Sequence, residues 1–168
     1  MKEIIENSFN LTRIPNKDEL VKFDGYDLFD KEQAIEIFFE KSCEQVYDQL
    51  VLGVKGTMSD IEVLQVLESY GLQYYLKSYL LYLFAGDSEP RNTSDFVSNL
   101  IFTLKEIIRI RGAEVFTIPQ CLALKQIAQI LLGELSSSIE DEGEYVYVKS
   151  LREHLNYIDS SIDPTLRK

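Results

Sequence analysis

Residues 72–84 read LQYYLKSYLLYLF, and this stretch decides the fold. Leu72, Leu76, Leu80 and Leu83 recur at four, four and three, and Tyr75, Tyr79 and Tyr82 repeat the pattern beside them. That spacing is helical rather than extended. A helix that is apolar on two faces has other helices around it. The stretch therefore predicts the central helix of an all-α protein. Its apolar run from Tyr79 to Ala85 is far too short to span a bilayer.

The same period extends outward in both directions. Toward the N-terminus, a short helix is expected over about Lys2 to Phe9, then an irregular stretch from Asn10 to Phe29 with Pro15 and Gly25 as breakers. Asp30 with Gln33 has capping-box spacing and opens a helix that turns Ala34, Ile37 and Phe38 inward and runs to about Lys41. A further helix carries Val46, Leu50 and Val51 before Gly53 and Gly56. Ser59 then caps one with Ile61, Leu64, Val66 and Leu67, stopped near Gly71.

Toward the C-terminus, Thr93 or Ser94 caps a helix bearing Val97, Ile101, Leu104 and Ile108, which Gly112 ends. Thr117 caps the next, with Pro119 in its first turn. Its inward face is Cys121, Leu124, Ala128, Leu131 and Leu135. A last helix aligns Val148, Leu151, Leu155 and Ile158, and the tail from about residue 160 is expected to fray. The expectation is a single-domain bundle of about six or seven helices.

Charge sets the functional bounds. The chain has 168 residues, with 28 Asp and Glu against 17 Lys and Arg, a net charge of −11. Such an excess repels phosphate and anionic lipid and favours a basic partner. Nucleic acid and membrane are therefore not expected as partners. The opening Met1-Lys2-Glu3-Ile4-Ile5-Glu6 lacks the cationic start and apolar run of a signal peptide, so a cytoplasmic location is expected.

Catalytic equipment is sparse. Gly53-Val54-Lys55-Gly56-Thr57 lacks the spacing of a phosphate loop and reads as a turn between helices. His154 is the one histidine; with Tyr147, Ser150 and Tyr157 it shares a helical face beside an apolar stripe. A half-buried structural role fits it better than general-base chemistry. Multi-histidine metal sites are excluded by that count. Cys43 and Cys121, far apart in helical patterns, read as buried, inert thiols. No cofactor, metal or enzymatic activity is expected.

The acidic residues themselves are the candidates for binding. Glu32, Glu36, Glu40 and Glu44 repeat every four residues; on one unbroken helix they form a ridge of like charge. Such a ridge is either a solvated face or a docking surface for lysines and arginines. Glu140, Asp141, Glu142 and Glu144 form an acidic loop, and Asp87, Glu89 and Asp95 are placed in another. Phe102, between Ser98 and Lys105 on a polar face, is either an exposed aromatic anchor or packed beneath the acidic loop.

Several segments resemble a family of small bacterial helical proteins with a Tyr-Tyr-Leu core helix. Ile4-Ile5 through Ser8-Phe9, followed by Pro15, is similar to its opening. Tyr74-Tyr75-Leu76-Lys77-Ser78-Tyr79-Leu80 resembles its central segment, with Lys77 where the family carries proline. Val115-Phe116-Thr117-Ile118-Pro119-Gln120, then Ala123-Leu124, is similar to a later helix start. The resemblance implies a compact helical bundle and carries no catalytic residues. In type rather than in motif, the chain also resembles immunity proteins of bacterial contact-dependent growth inhibition systems.

Charge, size and lack of machinery together lead to an immunity protein. It is expected to be a monomer when free and to bind and neutralise a cognate, basic, nuclease-type toxin domain. The alternative is an acidic adaptor or regulator of another cytoplasmic bacterial protein.

Overall fold

The structure, a computed structural model, describes residues 1–21, 28–54, 56–57, 60–85, 94–137 and 145–162. Among the described residues there are eight α-helices and two short 3-10 segments, and the fold is all-α. The chain divides into two compact units, Met1–Thr103 and Leu104–Lys168.

The first unit is built around α5 (Ser69–Leu83), as its two apolar stripes predict. Leu72, Tyr75, Leu76, Tyr79, Leu80 and Tyr82 are all buried. Four helices pack in the same unit: α1 (Lys2–Ser8), α2 (Lys17–Leu20), α3 (Leu28–Phe38) and α4 (Cys43–Val51). A 3-10 segment, Ile61–Val66, packs against α3 and α5. Their contributions to the core include Ile5, Leu20, Phe38, Val46, Leu50 and Leu64. Aromatic rings run along α5. Tyr75 lies 4.7 Å from Phe38 and 4.9 Å from Tyr74, and Tyr82 meets Phe96 edge-on at 4.8 Å. Offset and edge-to-face contacts of this kind add to the area that the rings bury. Two buried tyrosine hydroxyls of α5 find carbonyls: Tyr75 donates to Phe38 O and Lys41 O, and Tyr79 donates to Thr57 O.

Several local expectations need correction. The stretch expected to be irregular contains α2, opened by a complete capping box between Asn16 and Glu19. Asp30 is not an N-cap, because α3 already begins at Leu28 and Asp30 sits in its first turn. The expected helix around Ile61 is a 3-10 segment that ends at Val66, and Ser59 lies outside the described residues. Gly71 does not stop a helix; it lies in the first turn of α5. The physical reason is close packing. A Cβ at Gly71 would stand 2.9 Å from Glu19 O and 3.2 Å from Leu20 Cα, so only glycine lets α2 come this near.

Glu19 also pairs with Arg13, whose guanidinium donates to both carboxylate oxygens, one at 2.7 Å. This pairing and the Asn16 backbone N–H hold the Glu19 carboxyl at about 2, well below the usual carboxylate range. A depressed carboxyl favours the folded state above its ordinary pKa and loses that contribution as pH falls toward the folded value. An NMR titration should therefore show Glu19 staying ionised until pH approaches about 2. In Arg13→Ala the midpoint should move up toward the ordinary range. An unchanged midpoint would show that the guanidinium is not the cause.

α6 (Ser94–Arg111) runs through the division between the units. The second unit holds its C-terminal turns, a 3-10 turn at Ala113–Val115, α7 (Ile118–Ser137) and α8 (Tyr145–Ser161). Gly112 ends α6 as expected, with φ +77, a conformation that other residues rarely adopt. Thr117 precedes α7, and its N–H donates to the Gln120 side chain at 2.9 Å. Cys121, Leu124, Ala128 and Leu131 are buried on α7, and Val148, Leu151, Leu155 and Ile158 on α8. Both inward faces match their periodicity. Leu135 is only half-buried, since it lies in the last turn of α7.

Candidate docking site

The run from Glu32 to Glu44 is not a single ridge. Glu32 and Glu36 are exposed on α3, but that helix ends at Phe38. Glu40 follows in a left-handed turn with φ +59, which rotates the chain away from the helical path. Glu44 sits in the first turn of α4, behind a capping box between Ser42 and Gln45. There a carboxylate complements the helix dipole, so Glu44 has a structural role where it stands.

The surface that emerges instead is one stripe of α3 with the neighbouring 3-10 segment. Phe29, Glu32, Gln33 and Glu36 stand at i, i+3, i+4 and i+7, and so line one face. Phe29 is 69 % exposed, a large unburied aromatic on an acidic helix. The Gln33 amide donates to the Asp60 carboxylate, tying this stripe to the start of Ile61–Val66. Between them lies a groove of about 560 Å³ lined by Phe29, Asp30, Gln33, Asp60 and Glu62, with Val63 and Val66 beneath. The lysine of α3, Lys31, is turned inward and is only 2 % exposed. Glu19, Glu106 and Asp159 stand in ion pairs; Glu36 has the Lys41 ammonium near enough to feel its charge, and Glu32 is exposed beside it.

A second groove of the same unit, about 510 Å³, runs past Leu11, Cys43, Tyr47, Tyr74 and Phe84. Glu44 lines this groove and not the first, along with Glu6 and Asp48, but Lys2 and Lys77 stand there too. Its charge is mixed, so it exerts little pull on a basic partner. Cys43 is half-buried rather than fully buried, and its thiol donates to Tyr74 O at 2.9 Å. Burial pushes its pKa up, so the nucleophilic thiolate is disfavoured.

Other expected site residues fall elsewhere. Asp95 is exposed near the start of α6, and Phe102, 37 % exposed, stands two turns later on the same helical face. Asp87, Glu89, Glu140, Asp141, Glu142 and Glu144 lie outside the described residues. His154 is half-buried; burial, then the Lys105 charge, lowers its pKa and favours the neutral ring. Among the described residues, no group of His, Cys, Asp and Glu is arranged to hold a metal ion. Nor is any described helix long and apolar enough to cross a membrane.

Phe29 is the candidate residue that the sequence reading missed. Its signal was present, at i relative to Glu32 and Glu36. With the helix start placed at Asp30, however, Phe29 fell outside the helix and shared no face with them. Compared with family models, curated proteins and solved structures, the chain matches none.

Proposed function

We propose that this chain is an immunity-type inhibitor that binds and neutralises a cognate basic toxin domain, of the nuclease class, in bacteria. The acidic face of α3 and the adjoining 3-10 segment form the contact, and Phe29 is the anchor. One observation carries this reading: a 69 % exposed phenylalanine on the same stripe as two exposed glutamates. Isolated acidic faces are commonplace, and isolated exposed aromatics are too. Their union matches the economy of tight interfaces, in which a few buried aromatics hold the complex and surrounding charge speeds the encounter. A nuclease surface shaped for phosphate presents the complementary lysines and arginines. The net charge of −11 supports the same direction of attraction over distance.

The test is co-expression with the product of the neighbouring gene, followed by stopped-flow kinetics on the complex. Rescue of growth is expected, with an association rate that falls steeply as salt screens the charges. Glu32→Lys combined with Glu36→Lys should slow association by about tenfold or more. Phe29→Ala should act on the other rate, speeding dissociation by about tenfold or more. Growth arrest that co-expression leaves untouched removes the toxin as partner. A complex whose rates ignore all three substitutions removes this face.

A further inference from the structure

α7 has an outward face that the acidic reading does not use. Ile118 and Leu122 are each 49 % exposed, and Gln126, Gln129 and Gly133 continue the exposed stripe along the helix. These five residues carry no charge, on a chain whose net charge is −11. Lys125, beside the stripe, is engaged with Asp159 of α8 at 3.8 Å. Gly133 has open space around it: a Cβ there would meet nothing within 4 Å. Glycine inside a helix costs about 1 kcal/mol relative to alanine. Unlike Gly71, it has nothing packed against it among the described residues.

We propose that this face of α7 binds the same face of a second copy, forming an antiparallel, two-fold symmetric helix pair. Charge and shape both select that occupant. Two chains of this charge repel wherever their carboxylates meet, so they associate only through a neutral surface. A two-fold contact must also be self-complementary, and this stripe is. Centred between Lys125 and Gln126, the pairing sets Ile118 of one copy over Gly133 of the other, so the large residue fills the place of the missing side chain. Leu122 then lies along the stem of Gln129, and the two Gln126 amides meet near the axis. The stripe is about 22 Å long, a small contact, so the dimer is weak and concentration-dependent. At low concentration the chain is a monomer. This inference does not depend on the toxin reading.

Sedimentation velocity from low-micromolar to near-millimolar concentration tests the proposal. A monomer–dimer equilibrium is expected, strengthened by salt because screening relieves the repulsion between the two chains. A complex with a basic partner shifts the opposite way. Leu122→Glu, at an exposed position, should leave the circular dichroism unchanged and weaken the dimer by more than about tenfold. Gly133→Leu should do the same while improving the helix itself, an outcome that a purely structural glycine does not produce. Register is read by oxidation in a Cys43→Ser background. A mixture of Ile118→Cys and Gly133→Cys chains should cross-link, and neither chain should cross-link alone. A monomer throughout the concentration range overturns the proposal, as does a dimer indifferent to Leu122→Glu. Cross-linking of Ile118→Cys to itself overturns the antiparallel register.

Discussion

Tyr75→Ala should destabilise the first unit by about 3–5 kcal/mol, the range for removing a large aromatic side chain from a packed interior. The ring is fully buried, within 4.7 Å of Phe38 and 4.9 Å of Tyr74. Its hydroxyl proton is shared between two carbonyls, Phe38 O at 2.7 Å and Lys41 O at 2.8 Å. Those carbonyls flank the turn where Glu40 adopts φ +59 and α3 gives way to α4. The Lys41 ammonium caps the same helix end, donating to Glu36 O and Ile37 O at 2.7 Å each.

One tyrosine therefore both fills the core and fastens the end of the helix that carries the candidate docking stripe. Tyr75→Phe separates the two roles. It keeps the ring and takes the hydroxyl donor from both carbonyls, leaving Phe38 O with the Lys41 N–H alone, at a cost of about 1–3 kcal/mol. Hydrogen exchange in the last turn of α3 should quicken in both variants. Urea unfolding gives the stabilities, and a Tyr75→Phe protein as stable as the parent would show that the hydroxyl does not hold this turn.

Gly71→Ala tests the contact between α2 and α5, and the two effects at work have opposite signs. Helix propensity alone favours alanine over glycine by about 1 kcal/mol. Against this stands a Cβ placed 2.9 Å from Glu19 O and 3.2 Å from Leu20 Cα. Both are backbone atoms and cannot rotate aside. α2 is also pinned: its capping box, the Arg13–Glu19 pair and the Glu68 N–H donating to Leu20 O at 2.8 Å all resist displacement. The clash therefore outweighs the propensity. The expected result is a loss of about 1–3 kcal/mol, larger for Gly71→Leu. The same substitution at Gly133, where a Cβ meets nothing within 4 Å, should instead stabilise the helix. Thermal melts of the two alanine variants moving the same way would refute this account of Gly71.

Where the sequence reading failed, the causes were the shortness of one element and contact between distant parts of the chain. The inward faces of α5, α7 and α8 were legible because helical periodicity is a local record of which residues are buried. Gly112 and Thr117 were legible too, since a helix end depends on its own few residues. α2 was missed because four residues are too short to show a period; the Asn16 and Glu19 capping box was its only signal. Gly71 was misread as a stop because glycine in sequence has two meanings, a helix breaker or a close approach. Only the position of Glu19 and Leu20 against it distinguishes them.

The candidate docking stripe has the same history. Its acids were visible as a repeat of four, but the turn at Glu40 divides them, and Glu44 joins a different groove. Composition and periodicity were enough to establish an acidic, all-helical protein, because burial and net charge are sums over residues already in the chain. Which carboxylates share a face with Phe29, and which side of α7 is left bare, depended on how the helices stack. That arrangement follows from side chains meeting across long intervals of sequence, and no pattern along the chain records it.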